Sequence, residues 1–276
     1  MAHTNRYELK YVIDESKAAA VRRFLSAHLR PSPHNDSGPF AGHPVISLYL
    51  DSPDLVFFRQ AFTGHRNRIK VRIRFYDSDS NRPAFLEIKR RVNEVICKDR
   101  AMITREGVRR MLVGLASNTA WPDRSVLVRG KERGDVLEMF WNLCQRVHAR
   151  GVMYVSYVRE IWESPYDDEL RVTFDRRLTA TPYDGNPLLT VPAGGVPPAP
   201  DRPPYYLPRD GVVLELKFEH SAPGWMEHMV RTFDLHRTAV CKYCACLDTM
   251  QLQWGKPPPS PSGQEPLALK RWDDCS

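Results

Sequence analysis

The sequence predicts an α+β fold, a large antiparallel β domain with helices packed outside its sheet. Seven segments alternate apolar and polar residues strictly enough to form half-buried strands. Five other segments have the apolar spacing of amphipathic helices. Four of the strands also carry charged side chains along one face. Strands therefore dominate the part of the chain in which we expect the functional residues.

Length and charge limit what the protein can be. At 276 residues and 42% hydrophobic composition, the chain can bury a substantial core as one domain. Its 40 Lys and Arg against 33 Asp and Glu give a formal charge of +7, which favours nucleic acid, anionic lipid or a phosphate chain as partner. No stretch approaches the roughly 20 apolar residues that span a bilayer, and residues 1–10 lack a signal-peptide core. We therefore expect a soluble, cytoplasmic protein.

The predicted elements follow one another along the chain. The strands are residues 6–12, 45–51, 68–76, 84–91, 152–160, 170–176 and 212–218. The helices are residues 16–29, 54–62, 105–115, 135–149 and 225–233. Asp14 or Glu15 lies near the start of the first helix and Thr104 near the start of the third, as expected of helix N-termini.

Two proline-rich stretches interrupt this pattern. Residues 182–211 contain nine of the 23 prolines and the pair Gly194-Gly195, so we predict a loop there, either a lid or an insertion. After Trp254 the run PPPSP at 257–261 cannot continue a helix or a strand. Residues 255–276 are therefore predicted to be a flexible tail.

The six cysteines do not indicate a disulfide scaffold in a chain of this length. Cys241 and Cys244 have the spacing of half a zinc site or of a redox pair. No second Cys or His pair with ligand spacing accompanies them. We therefore interpret the cysteines as reduced, structural residues.

Charged residues recur two apart in the predicted strands, which places them on one face. In the strand at 68–76, Lys70, Arg72 and Arg74 alternate with apolar residues. The same arrangement recurs elsewhere as Glu8 with Lys10, Glu87 with Lys89 and Arg91, and Glu215 with Lys217. Four strands thus present ionic faces.

These faces are either the solvated outer side of an antiparallel sheet or the lining of a closed antiparallel barrel. Three occurrences of Glu-x-Lys in β-rich segments favour the lining, because an ordinary surface would include more Ser, Thr and Gln. Cations that face inward repel one another and lose hydration unless a polyanion or carboxylates compensate them. A phosphate chain provides that compensation through Arg forks and Lys point charges, and carboxylates left among them would bind Mg²⁺ or Mn²⁺.

Six segments together resemble one known family. They are RYELKY at 6–11, SLYLD at 47–51, KVRIR at 70–74, FLEIK at 85–89, LELKF at 214–218 and KY at 242–243. Their order and spacing resemble the VTC (vacuolar transporter chaperone) domain of the triphosphate tunnel metalloenzymes over about residues 5–250. The resemblance implies a closed antiparallel β-barrel tunnel with helices packed outside. It also implies a polyphosphate polymerase that moves the γ-phosphoryl group of ATP onto a growing chain and releases ADP.

The resemblance and the shared strand faces together assign roles to residues. The catalytic set is Lys10, Arg72, Arg74, Lys89, Arg159 and Glu215. The substrate-binding set is Lys70, Arg91, Lys98, Arg100, Tyr49, Tyr157, Lys217 and Lys242, the last as a lysine on a late strand. The ligands of a divalent metal, Mn²⁺ or Mg²⁺, are Glu215, Glu8 and Glu87. Arg171 and Asp175 share a strand face and form either an ion pair at the rim or further ligands.

Phosphoryl transfer suits such a site, because the reaction depends on aligning donor and acceptor and on neutralising oxygens rather than on a side-chain nucleophile. We expect in-line attack by a terminal phosphate oxygen on the γ-phosphorus, with the metal and the cations stabilising the transferred group. No Walker-type loop is present, so side chains would have to bind the ATP.

Two other functions remain open at this point. A metal-dependent triphosphatase on the same scaffold differs only in using water as acceptor, and more carboxylates among the candidate positions would be expected of it. A polyphosphate or nucleotide sensor would bind without turnover. We expect ATP and polyphosphate or triphosphate as partners and no nucleic acid, since neither a stacking platform nor a basic helix is present. We expect no membrane span in this chain, and any membrane anchor in a partner protein.

Overall fold

The computed structural model describes residues 6–35, 42–76, 81–92, 95–117, 124–166, 170–185 and 211–253. Within these residues a nine-stranded antiparallel sheet combines with six α-helices, which confirms the α+β class. The strands are β1 (Arg6–Ile13), β2 (Arg30–Pro31), β3 (His43–Asp51), β4 (Arg68–Phe75), β5 (Ala84–Val92), β6 (Val95–Ile103), β7 (Arg150–Glu163), β8 (Arg171–Pro182) and β9 (Val212–Glu219). The helices are α1 (Glu15–Leu25), α2 (Val56–Phe62), α3 (Arg105–Ser117), α4 (Gly134–Arg146), α5 (Gly224–Thr232) and α6 (Lys242–Gln253), and a 3-10 turn spans Arg124–Val126.

All seven predicted strands and all five predicted helices are present, and only their ends differ. The sequence analysis missed β2, β6 and α6. In β6 the charged Asp99 lies on the outer face beside Arg90, at 3.0 Å, so the apolar alternation is broken there. The placement of Lys242 on a late strand was wrong, because Lys242 is the first residue of α6.

The sheet is open at the level of its backbone hydrogen bonds. Its strand order is β1-β9-β8-β7-β3-β4-β5-β6, with β2 paired to β7, so that β1 and β6 are the ends and do not pair with each other among the described residues. The predicted closed barrel was therefore wrong in this respect. Instead, Thr238 donates its N–H to the Lys10 carbonyl at 2.8 Å, and Val128 donates its N–H to the Met102 carbonyl at 3.1 Å. Each edge strand is thus partly covered by an adjoining segment, which limits pairing with another chain.

Side chains nevertheless meet across the two ends of the sheet. Lys89 on β5 donates to Glu8 on β1 at 2.9 Å, although β1 is the first strand of the order and β5 the seventh. In a flat sheet with strands about 4.8 Å apart, these strands would be separated by about 29 Å. The sheet is therefore strongly curled into a half-barrel, and Glu8 and Lys89 lie on its concave face.

Four helices cover the convex face of the half-barrel. Helices α3 and α4 pack on the β3–β6 half, with Val108 and Phe140 among fully buried sheet residues. Helices α1 and α5 pack on the β1, β8 and β9 region, with Val21 and Met229 in the core. The prediction that helices pack outside the sheet is confirmed for these four.

Helices α2 and α6 are the two exceptions. Helix α6 packs on the concave side, and Phe58 of α2 contacts the Tyr243 ring of α6, with centroids 6.1 Å apart. Tyr243 of α6 stacks on Tyr49 of β3 with ring centroids 4.5 Å apart, and both belong to a buried cluster with Phe58 and Tyr157. One part of the concave face is therefore apolar and filled by a helix, and the rest carries the charges.

Most of the predicted loop at 182–211, namely residues 186–210, lies outside the described residues. The whole of the predicted tail at 255–276 lies outside them as well. None of the described helices combines the length and the apolar character needed to cross a membrane.

The buried carboxylate of Asp51 joins β3, α2 and α6. It accepts hydrogen bonds from the N–H groups of Ser52, Phe57 and Phe58 at 2.8–2.9 Å, and from the Tyr243 hydroxyl at 2.9 Å. Burial raises the pKa of Asp51 to about 6, against the effect of these hydrogen bonds. Asp51 thereby satisfies the free N–H groups at the start of α2 and ties α6 to the sheet.

Replacing Asp51 by Ala is expected to lower the free energy of unfolding by about 2–4 kcal/mol, because four buried donors lose their acceptor. Urea denaturation followed by circular dichroism measures the change. Asp54→Ala, an exposed aspartate of the same turn, is the matched control and is expected to change stability little. Equal effects of the two substitutions would contradict the assigned role of Asp51.

Candidate functional site

The antiparallel register places the charged residues of neighbouring strands directly opposite one another. Lys10 of β1 lies opposite Glu215 of β9, and Arg72 of β4 lies opposite Glu87 of β5. Because side chains two apart share a face, each such pair brings its neighbours onto the same concave surface. The predicted ionic faces therefore converge on one surface rather than on several separate ones.

The first cluster surrounds Glu87, which is 1% exposed. Arg72 contacts its carboxylate at 2.7 Å and Lys98 at 2.8 Å, while Arg100 and Arg74 lie 3.5 and 3.7 Å away. Burial alone would raise the pKa of Glu87, but the charges of these cations hold it well below its usual range. Glu87 is thus a fixed anion that orients four cations.

The second cluster surrounds Glu215. Its carboxylate contacts Lys217 at 2.6 Å, Lys242 at 2.8 Å, Arg159 at 3.0 Å and Lys10 at 3.5 Å. Burial opposes ionisation of Glu215, yet the surrounding cations hold its pKa well below its usual range.

Asp175 of β8 completes this second cluster. Arg159 donates to both of its carboxylate oxygens at 2.6 Å, and Lys242 contacts it at 2.7 Å. Asp175 is 2% exposed, so the rim ion pair with Arg171 is ruled out, and Arg171 instead lies 3.9 Å from Glu163. The alternation of Arg171 and Asp175 with the buried Val172 and Phe174 predicted that Asp175 lies on the charged face of the strand. It did not predict the side chains that Asp175 contacts.

Glu8 connects the two clusters. Its two oxygens contact Lys10 and Lys89, each at 2.9 Å. Lys10 belongs to the Glu215 cluster, and Lys89 lies on β5 next to the Glu87 cluster. The concave face therefore carries one continuous ionic network across the opening of the half-barrel.

Cations outnumber carboxylates on this face. The carboxylates of the ionic network are Glu8, Glu87, Asp175 and Glu215, and Glu163 lies on the same face farther along β7, 3.9 Å from Arg171. At least ten cations share the face, namely Lys10, Lys70, Arg72, Arg74, Lys89, Lys98, Arg100, Arg159, Lys217 and Lys242. Arg91 lies on the same face at the end of β5, opposite Arg68 and Ile96. The network thus has a net positive charge that its own carboxylates do not neutralise.

Lys217 and Lys89, two lysines of the network, have lowered pKa values. Burial lowers the pKa of Lys217 to about 8, although Glu215 lies 2.6 Å away. Burial and the neighbouring cations also lower the pKa of Lys89, against the effect of Glu8. An anion bound among these side chains would relieve both effects.

The two predicted substrate-binding tyrosines lie beneath the arginines. The Tyr49 hydroxyl accepts a hydrogen bond from Arg72 at 3.1 Å, and the Tyr157 hydroxyl accepts one from Arg74 at 3.4 Å. Arg159 also lies over the Tyr157 ring, 5.3 Å from its centroid. These contacts fix the orientation of the guanidinium groups, which is the condition for two-point binding of an oxyanion.

The predicted metal ligands do not come together as one set. In the part of the chain that the structure describes, no three His, Cys, Asp or Glu side chains form a group able to bind a metal ion. Glu87 is surrounded by the cations of its own cluster. Glu215 and Asp175, however, both lie within 2.8 Å of the Lys242 ammonium. Two carboxylates together with phosphate oxygens can bind Mg²⁺ or Mn²⁺, but an ion at this pair would have to displace the Lys242 ammonium that contacts both carboxylates.

The structure and the family comparison agree on the class of protein. The strongly curled antiparallel sheet, with helices on its convex side and a cation-rich concave face, agrees with the resemblance found in the sequence except for the closure of the barrel. The model of the VTC domain matches residues 5–251, and the chain belongs to this family.

Other comparisons add little. Comparison with curated proteins finds no match. Among solved structures, the chain is similar to a protein of Bacillus halodurans provisionally named an adenylate cyclase, with 11% identity, a TM-score of 0.45, and coverage of 86% of this chain and 95% of that chain. A similarity this weak bears on neither the fold nor the function.

Replacing Glu87 by Gln is expected to lower the free energy of unfolding by about 3–5 kcal/mol, because four cations lose their common buried anion. Urea denaturation measures the loss, and added inorganic tripolyphosphate is expected to stabilise the variant more than it stabilises the original protein. Glu106→Gln is the matched control, since Glu106 contacts Arg109 and Arg110 on the exposed face of α3. A Glu87→Gln variant as stable as this control would contradict the account of the cluster.

Proposed function

We propose that the concave face binds a linear phosphate chain and that the protein transfers the γ-phosphoryl group of ATP to that chain, releasing ADP. One observation carries the proposal: at least ten cations, most of them half-buried, share a continuous face with the four carboxylates of the network. A linear polyanion has the charge density to neutralise such a face along its whole length. Membership of the VTC domain family supports the choice of phosphate over other polyanions.

The positions of the cations support binding of successive phosphate groups. Arg72 and Arg74, two apart on β4, point the same way and are held by Glu87 and the tyrosine hydroxyls. Arg159 is held by Asp175 on the other half of the sheet. Planar guanidinium groups with fixed orientation bind the non-bridging oxygens of phosphate in pairs. The lysines of the Glu215 cluster add point charges between the two halves.

In this reaction the residues of the protein align the two substrates and neutralise the charge on the phosphate oxygens, and none of them acts as a nucleophile. A terminal oxygen of the acceptor chain attacks the γ-phosphorus in line, and the bond from that phosphorus to the β,γ-bridging oxygen breaks, so that ADP leaves with the electron pair. The arginines of both clusters stabilise the charge on the equatorial oxygens of the transferred group. A divalent cation at Glu215 and Asp175 would supply further neutralisation of the phosphate oxygens.

The engagement of the carboxylates favours transfer to phosphate over transfer to water. Each of the four carboxylates contacts at least two Lys or Arg side chains. None is therefore left as an unpaired base positioned to activate water. The phosphate acceptor is itself anionic, and the excess cations favour its approach beside ATP.

To test the proposal, the protein is incubated with ATP and Mn²⁺ or Mg²⁺, and polyphosphate, orthophosphate and ADP are then separated and quantified. Polyphosphate and ADP are expected together. Arg159→Lys keeps the charge but loses the fork held by Asp175, so kcat/KM is expected to fall about 100-fold. Arg231→Lys on the exposed face of α5 is the control and is expected to leave kcat/KM unchanged.

Other products would contradict the proposal in different ways. Orthophosphate without chains would identify a triphosphatase. Tight binding of tripolyphosphate with no turnover would identify a binding module. Loss of activity in both arginine variants would show that the Arg159 effect is not specific to the site.

Affinity for tripolyphosphate is expected to fall as the pH rises through about 8. Lys217, with its pKa lowered to about 8, is protonated at pH 7 and largely neutral at pH 9 in the unbound protein, and the anion prefers the ammonium form. The expected loss between pH 7 and pH 9 is about tenfold. Calorimetric titration measures this loss of affinity. The loss is expected to be smaller in Lys217→Arg, because the arginine stays charged. Comparing the two proteins removes the contribution of the ligand's own protonation, and identical pH profiles would contradict the prediction.

A further inference from the structure

Two buried cysteines flank a lysine of the ionic network. Cys241 and Cys244 lie on either side of the start of α6, and their Sγ atoms are 2.8 Å apart. Both are buried, and neither is in a disulfide bond. Lys242, between them, contacts Glu215 and Asp175. The pair is therefore adjacent to the proposed phosphate site without being part of it.

Cys241 also contacts that site directly. Lys70 of β4 donates to its Sγ at 3.0 Å, and the N–H of Cys244 donates to the same sulfur at 3.4 Å. Burial would raise the pKa of Cys241, but the hydrogen bond with Cys244 and the Lys70 charge hold it well below its usual range. The position at a helix N-terminus acts in the same direction. These contacts favour the thiolate form of Cys241, paired with Lys70.

We propose that Cys241 and Cys244 form a reversible disulfide, and that its formation increases the affinity of the concave face for phosphate chains by releasing Lys70 from its thiolate partner. This inference rests on the proposed function of the face. The contact between the two sulfurs and the contact of Cys241 with Lys70 carry it.

The chemistry balances with a hydroperoxide as oxidant. The Cys241 thiolate attacks one peroxide oxygen, the O–O bond breaks, and a sulfenic acid and hydroxide form. The Cys244 thiol then attacks the Cys241 sulfur, an S–S bond forms, and water leaves. Two thiols and one hydrogen peroxide thus give one disulfide and two waters, and a dithiol reverses the change by exchange.

The local geometry suits this bond. A disulfide needs Cβ atoms about 3.5–4.5 Å apart, and residues three apart on a helix have theirs about 5–6 Å apart, so the backbone must draw in slightly as the bond forms. Cys241 precedes the first residue of α6, where the backbone is not held within the helix. The sulfur atoms here already lie closer than two non-bonded sulfurs usually do. Cys246 on the same helix is buried as well, but the Cys241 sulfur contacts Cys244.

The charge consequence follows from the Lys70 contact. The thiolate is the anion 3.0 Å from the Lys70 ammonium, and a disulfide sulfur carries no charge. Oxidation therefore adds one uncompensated positive charge on β4, two residues from Arg72. A change of one charge beside a polyanion site is expected to tighten tripolyphosphate binding about fivefold or more.

The test uses the full chain treated with hydrogen peroxide or with dithiothreitol. Peptide mapping by mass spectrometry after peroxide is expected to find Cys241 linked to Cys244, and dithiothreitol is expected to remove the link. Calorimetric titration with inorganic tripolyphosphate is expected to show tighter binding by the oxidised protein. Cys241→Ser, which lacks the thiolate beside Lys70, is expected to bind tripolyphosphate as the oxidised protein does and to show no response to peroxide, whereas Cys246→Ala is expected to keep the response.

Each other outcome overturns the inference at an identifiable step. If peroxide oxidises the cysteines without linking these two, the modification site is wrong. If the disulfide forms and affinity stays the same or falls, the role of Lys70 is wrong. A response that persists in Cys241→Ser assigns the effect to another residue. If neither form binds tripolyphosphate, the proposed function itself fails, and the mapping still decides whether the disulfide forms.

Discussion

Mutual repulsion among the cations of the concave face is the constraint on which the rest of the structure depends. A buried group of Lys and Arg side chains is unstable unless anions fix their positions, and four carboxylates do so here. Each carboxylate contacts several cations, so a few anions orient many donors. The remaining positive charge is the part of the network that a phosphate chain can neutralise.

The curl of the sheet follows from the same network. Glu8 contacts Lys10 beside it and Lys89 from the far side of the sheet, so the two ends of the strand order are joined by charge rather than by backbone hydrogen bonds. Helix α6 brings Lys242 to Glu215 and Asp175 and packs Tyr243 against β3. The interior of the half-barrel is therefore built from both strand residues and one helix.

Sequence analysis could predict which residues share this surface, because alternation along a strand fixes the face of each side chain. Lys70, Arg72 and Arg74 were assigned in this way, and Glu215 with Lys217 likewise. The partners could not be predicted, since they depend on the strand order and the register. For that reason the sequence did not decide whether Asp175 forms an ion pair at the rim or is a further ligand. The alternation of apolar and polar residues also contained no indication that β1 and β6 do not pair.

Helix α6 shows a second limit of the sequence. Its residues 242–250 are almost all buried, on several sides of the helix, and so lack the single apolar stripe by which an amphipathic helix is identified. The Cys-x-x-Cys spacing was visible and was interpreted as structural. Only the fold, which brings the residue just before α6 next to β4, shows that the Cys241 sulfur lies beside Lys70.

A structure of the protein determined with bound inorganic tripolyphosphate tests the central claim most directly. The account predicts successive phosphate groups on the concave face, with oxygens within hydrogen-bond distance of Arg72, Arg74 and Arg159. Tripolyphosphate bound only on the convex surface, or an empty concave face at a saturating concentration, would contradict it.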